Sequence, residues 1–114
     1  MPYISTRVNC PVSPAEEKQI VSAMGQAITL LPGKRENWLM VEVTGDCHLY
    51  FRGKTDDKLA FITVKYLGSV SGECLEKLTA EATRVVSDAL GIQKDNIYVQ
   101  YEECTYWGWN GSNF

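Results

Sequence analysis

Apolar and polar positions recur along this chain with two periods, 2 and about 3.6, and the switches between them predict its elements. Tyr3-Ile4-Ser5-Thr6-Arg7-Val8 opens the pattern as a strand over Pro2–Asn9. Proline is tolerated at a strand's first residue, where no ladder N–H is lost. Ser13-Pro14-Ala15-Glu16 then predicts a helix start: an N-cap serine, proline at the first helical position and glutamate at the capping-box spacing. Ile20, Met24, Ala27, Ile28 and Leu31 follow at helical spacing, and Pro32-Gly33 ends the run. Trp38–Val43 reads as a second strand, Gly45-Asp46 as a turn, and His48–Phe51 as a short strand. After a polar turn over Gly53–Lys58 comes a strand over Leu59–Leu67, then a loop over Gly68–Gly72. Leu75, Leu78, Ala82, Val85, Val86, Ala89 and Leu90 predict a long amphipathic helix, with Gly91 as its C′ residue. Asn96–Glu102 is the last clear strand, and Tyr106–Phe114 is an aromatic tail punctuated by glycines.

The order strand, helix, strand occurs twice, and a local echo supports the repeat. A basic–acidic–Asn triplet, Arg35-Glu36-Asn37 and again Lys94-Asp95-Asn96, follows each helix and leads into an apolar strand. The predicted fold is α/β (α+β): two pseudo-symmetric β-α-β units sharing a four-stranded mixed sheet, both helices on one face through right-handed crossovers. Trp38–Val41 and Leu59–Val64 are apolar at consecutive positions, as in strands covered on both faces. The second sheet face therefore needs a cover, and another copy of the chain is the natural one.

Length and charge narrow the function classes. A chain of 114 residues makes one domain, spanning 1–114, with room for a real core. The net charge of -3, with no basic run, gives no support for a nucleic-acid partner. No apolar stretch reaches membrane-spanning length and no secretory pattern opens the chain, so the expected location is cytoplasmic. Cys10, Cys47, Cys74 and Cys104 lack any C-x-x-C spacing and are expected as free thiols. His48, the one histidine, beside Cys47 falls short of the three or four ligands a zinc site wants, so no metal or other cofactor is expected.

The common catalytic signatures are missing: no G-x-S-x-G elbow, no P-loop, no dinucleotide fingerprint. The paired carboxylates Glu16-Glu17, Asp56-Asp57 and Glu102-Glu103 read as solvated or capping pairs. Pro2 remains. Within the chain it is an inert strand-start residue; with Met1 removed its ring nitrogen is a secondary amine. An α-amino group titrates near 7.7–8.0, and burial or a nearby cation lowers that value, leaving a neutral base at physiological pH.

The two ends together decide between those readings. Met1-Pro2 at the start and Gly108-Trp109-Asn110-Gly111-Ser112-Asn113-Phe114 at the end resemble the macrophage migration inhibitory factor family of the tautomerase superfamily. Gly33-Lys34 after the first helix, Leu67-Gly68 after the third main strand and Ile97-Tyr98 in the last long strand fit the same pattern, from Pro2 to Phe114. The resemblance implies a homotrimer whose sheets form a central barrel with helices outside, sites at subunit interfaces, and tautomerase activity on small aromatic keto acids such as phenylpyruvate and on dopachrome-like substrates.

Carried over by residue, the resemblance implies Pro2 as general base and Lys34 as holder of the substrate carboxylate. It gives the Leu67 N–H to the carboxylate or developing enolate, and Tyr98, from the neighbouring subunit, to the pocket. Gln100 stands where the family commonly has Asn, Tyr66 where a small Ser is common, Trp107 where Val is common, and Trp38 in place of a pocket tyrosine. With Phe114, these substitutions imply a narrower, more aromatic mouth; packing at a subunit interface is the other use for such rings. The C-x-x-C pair of vertebrate members is replaced by Leu59 and Ile62, so thiol–disulfide chemistry of that type is not expected. Two alternatives stand beside the tautomerase: a cytokine-like signalling protein with a vestigial pocket, binding a receptor and secreted without a signal peptide, and a related dehalogenase or decarboxylase, for which Arg35 is the one local arginine.

Overall fold

The computed structural model describes residues 1–114. Strand β1 (Pro2–Val8) leads into helix α1 (Pro14–Ala27), which returns to strand β2 (Met40–Thr44). Strand β3 (Ala60–Leu67), helix α2 (Gly72–Leu90) and strand β4 (Ile97–Cys104) repeat the unit. The sheet order is β2-β1-β3-β4. β1 runs parallel to β2, and β3 parallel to β4, while β1 and β3 meet antiparallel at the centre. This is the two-unit arrangement expected from the echoed sequence, with the pseudo-twofold between the central strands.

Local chemistry sets the helix ends. The Ser13 hydroxyl accepts from the Glu16 N–H at 3.1 Å, and the Glu16 carboxylate accepts from the Ser13 N–H at 2.9 Å, completing the capping box. Ser71 caps α2 in the same way through the Cys74 N–H, a signal unread in the sequence. Gly91 ends α2 in the left-handed conformation (φ 68°) and donates to the Ser87 carbonyl. The last part of the first helical run, Ile28–Leu30, tightens into a 3-10 turn.

Both echoed triplets also become 3-10 turns, Glu36–Trp38 and Lys94–Asn96. Trp38 therefore belongs to a turn, and β2 starts at Met40, a correction to the strand expected from Trp38. The expected strand over His48–Phe51 does not form. Only a bridge between Phe51 and Lys54 closes that loop, because the left-handed Arg52 and Gly53 turn the chain back at once. In the tail, β5 (Gly108–Trp109) and β6 (Ser112–Asn113) make a hairpin. Its two-residue loop, Asn110-Gly111, has φ of 52° and 85°, the signs a type I′ turn demands.

Even-numbered β1 and β3 residues face the helices: Ile4, Val8, Ile62, Val64 and Tyr66 join Ile20, Met24, Ile28, Leu78, Ala82 and Val86 in one core, and Thr6 is fully buried on the same face. The opposite face is not the apolar surface the sequence suggested. It carries Tyr3, Arg7, Glu42, Thr63, Lys65, Gln100 and Glu102 among Met40, Phe61 and Tyr98. Consecutive apolar residues in β3 misled because the outward positions alternate Phe61, Thr63, Lys65 and Leu67, with polar residues in the middle of the strand.

Candidate active site

β1 is a central strand, and Pro2 lies at its first position, opposite Tyr66 near the end of β3. The pairing buries the proline ring. Two groups converge on residue 1. The Leu67 N–H donates to the Met1 carbonyl at 3.2 Å. Lys34 donates from Nζ to the Leu67 carbonyl at 2.9 Å, and its charge acts on the Met1 amine. The left-handed Gly33 (φ 76°) turns the chain after α1, and the Lys34 N–H closes that turn on the Leu31 carbonyl. Burial, and next the Lys34 charge, hold the terminal amine below its ordinary 8.0; Cys104 opposes this.

A cleft of about 690 Å³ opens beside these groups. Pro2 and Tyr3 of β1, Trp38 and Met40 at the entry to β2, Lys65 of β3 and Trp107 and Trp109 of the tail line it. The aromatic wall is built by the hairpin. Trp38 meets Trp109 edge-on at 5.1 Å and Phe114 at 6.3 Å, and Trp109 stacks on Phe114 at 6.1 Å. The Phe114 N–H donates to the Trp107 carbonyl at 3.1 Å, fastening the end of the chain to the wall. A second cleft, about 400 Å³ beside Arg52, Asp56 and Gln93, has no hydrophobic lining and lacks the apolar character of ligand sites.

Of the residues singled out in the sequence, the fold gathers Pro2, Lys34, Leu67, Trp38, Trp107 and Phe114 at one end of the sheet. Tyr66 is beside Pro2, but its ring is only 3% exposed within the helix-side core, with its hydroxyl 3.4 Å from Glu103. It supports the proline from below and does not narrow the mouth. Tyr98 and Gln100 lie elsewhere. Tyr98 pairs with Phe61, and Tyr66 lies five positions further along β3, roughly 16 Å of strand. It is 57% exposed, against Phe51 and Phe61. Within one chain neither Tyr98 nor Gln100 reaches Pro2. Sequence reasoning missed Tyr3, Met40, Lys65 and Trp109 as cleft residues. For Trp109 a signal existed, since Asn-Gly between short apolar segments marks a tight hairpin.

The fold and site define a class: a two-unit β-α-β protein that holds Pro2 at the mouth of an aromatic cleft, near a lysine and the Leu67 N–H that meets the Met1 carbonyl. The chain belongs to the macrophage migration inhibitory factor family, within the tautomerase superfamily that includes isomerases; the family's model, Macrophage migration inhibitory factor (MIF), matches residues 1–114. It is 28% identical to a macrophage migration inhibitory factor homolog of Trichuris trichiura over 116 residues, covering all of both chains. Among solved structures it is similar to Leishmania major MIF2, with a TM-score of 0.93 and 25% identity over 100% of this chain and 97% of that one. The macrophage migration inhibitory factor-like protein of Entamoeba histolytica superposes with a TM-score of 0.87 at 24% identity, over 99% and 98% of the two chains. No helix is long and apolar enough to cross a membrane.

Proposed function

We propose that the chain is a keto–enol tautomerase acting on phenylpyruvate-like α-keto acids and on dopachrome-like substrates, with Pro2 as general base once Met1 is removed. The observation that carries this is the convergence on residue 1. Its carbonyl takes the Leu67 N–H, and its amine lies beside Lys34. Removing Met1 frees both groups and makes the Pro2 nitrogen an amine next to them. The backbone donor then serves a carboxylate or enolate oxygen, and Lys34 the carboxylate charge. A neutral Pro2 nitrogen takes the proton from the carbon beside the keto group, charge gathers on oxygen, and the proton is returned to that oxygen. The aryl ring packs against Trp38, Trp107, Trp109 and Phe114.

In this reading the protein is a homotrimer, and a neighbouring copy brings Tyr98 and Gln100 to the cleft. Their exposure and distance from Pro2 in their own chain favour that use. A related protein of the same fold, Pt0534, 16% identical with a TM-score of 0.82, is inactivated by 2-oxo-3-pentynoate, itself an α-keto acid.

The test compares enol formation from phenylpyruvate by the processed protein, Pro2→Gly, and a form that retains Met1. Retaining Met1 turns the Pro2 nitrogen into an amide and is expected to cost at least about 100-fold in kcat/KM, while Pro2→Gly leaves a flexible primary amine in place of the rigid ring amine and should lose less. Equal activity in all three would overturn the assignment. Inactivity in all three, with receptor binding retained, would favour the cytokine-like reading.

A further inference from the structure

We propose that Lys65 is a specificity-determining residue that reads a second acidic group on the substrate, so that the cleft favours aromatic keto acids carrying a distal carboxylate. The inference rests on the proposed tautomerase reading for the orientation of the keto-acid end. It starts, however, from a feature that reading leaves unused. Two cations lie near residue 1 and Pro2. Lys34 is committed to the strand-end carbonyl of Leu67 and is not part of the cleft's lining. Lys65, on the opposite sheet face from the core, lines the cleft itself together with Tyr3 and the tryptophans.

Lys65 is free to engage a ligand. Its one ionic partner, Glu102, is 3.7 Å away, and the two side chains are 47% and 50% exposed. Such an exposed, loose pair contributes little and is readily exchanged for another carboxylate. The ammonium also lies 5.8 Å from the centre of the Tyr3 ring, a contact that holds it toward the cleft wall. The Tyr3 hydroxyl is turned away, donating to Glu42 at 2.6 Å. Glu42 is thereby occupied, which leaves Glu102 as the one carboxylate competing for Lys65.

A ligand anchored by its keto-acid end at Lys34 and Leu67 would run its ring along the tryptophan wall, and an acidic substituent at the far end of the ring would meet Lys65. A monoacid fills the same cleft but leaves that ammonium to Glu102 and water.

The experiment measures kcat/KM for 4-carboxyphenylpyruvate and for phenylpyruvate, and takes their ratio, in the Met1-processed protein, Lys65→Met, Lys65→Arg and Glu102→Gln. The ratio is expected to fall about tenfold in Lys65→Met, the loss of one charge-assisted contact. It should recover in Lys65→Arg and rise in Glu102→Gln, where the competitor is gone. A ratio unmoved by Lys65→Met overturns the proposal, whatever happens to the two rates separately. Tryptophan fluorescence titration with 3-(4-carboxyphenyl)propionate and 3-phenylpropionate repeats the comparison without turnover. A diacid preference that depends on Lys65 in binding, with no activity in any form, would sustain the subsite while sinking the tautomerase. Equal affinity of both acids for the unmodified protein would sink the subsite alone.

Discussion

At the scale of single residues, the chemistry turns on how Lys34 treats the amine beside it. Burial and this cation both disfavour the protonated Met1 amine and hold its pKa below the ordinary 8.0. With Met1 removed the Pro2 nitrogen lies near the same cation, and a base must be deprotonated to act, so kcat/KM for phenylpyruvate should rise with pH to a plateau, with the rising limb held low by Lys34. Lys34→Met removes a positive charge, which makes protonation easier. The rising limb should therefore move to higher pH. The pH–rate profiles of the two proteins check this, and a limb that stays in place would show that Lys34 acts only on the substrate. These residues were visible in the sequence unevenly. Pro2 stood out from its own chemistry and the resemblance strengthened it, whereas Lys34 and Leu67 came from the resemblance alone; the fold places the three together through backbone pairing that no local pattern announces. Tyr66 was misplaced because strand parity sends it to the core with Ile62 and Val64. Lys65 was overlooked because a lone lysine in a strand carries no spacing signal.

At the scale of elements, helices were the most legible: Ser13 marked the start of α1 and Gly91 the end of α2, while the Ser71 cap carried the same signature unread. Strand starts were less so, since Glu36–Trp38 and Lys94–Asn96 satisfy their backbones locally in 3-10 turns before the ladder begins. The tail hairpin matters most to function. Gly111, at φ 85°, sits where a β-branched residue is strained by about 1–2 kcal/mol. Gly111→Val should loosen the hairpin and with it the Trp109–Phe114 wall, raising KM for aromatic keto acids more than it lowers kcat. The four-stranded domain should melt nearly as before, because the hairpin forms a separate two-stranded sheet. Steady-state kinetics together with a far-UV thermal melt separate the two effects. By contrast Ser13→Ala, at the capping box of α1, should cost about 1 kcal/mol of stability and leave KM unchanged.

At the scale of the whole molecule, the repeat of β-α-β units was written into the sequence by the echoed triplets, and the sheet order follows from joining two such units at antiparallel first strands. What covers the open face was harder to foresee, because that face mixes charges with aromatics. Its polar positions suit a lining that stays partly wet, while Tyr98, Phe61 and Phe51 form a patch at the β4 edge, far from Pro2. If copies assemble so that one chain's β4 edge approaches another's cleft, Pro2 and Tyr98 of the same site belong to different chains. Mixing then becomes diagnostic. The form that retains Met1 and a processed Tyr98→Ala should each be nearly inactive. Unfolded together in equal amounts and refolded, they should regain about a quarter of the native rate, because a site needs a free Pro2 amine from one chain and an intact Tyr98 from its neighbour. Sites contained within single chains would give only the average of the two inactive parents. The same sample on a sizing column with light scattering should show three times the mass of one chain. A monomer that is nevertheless fully active would separate the catalytic proposal from the assembly, and would require Tyr98 to be removable without loss of rate.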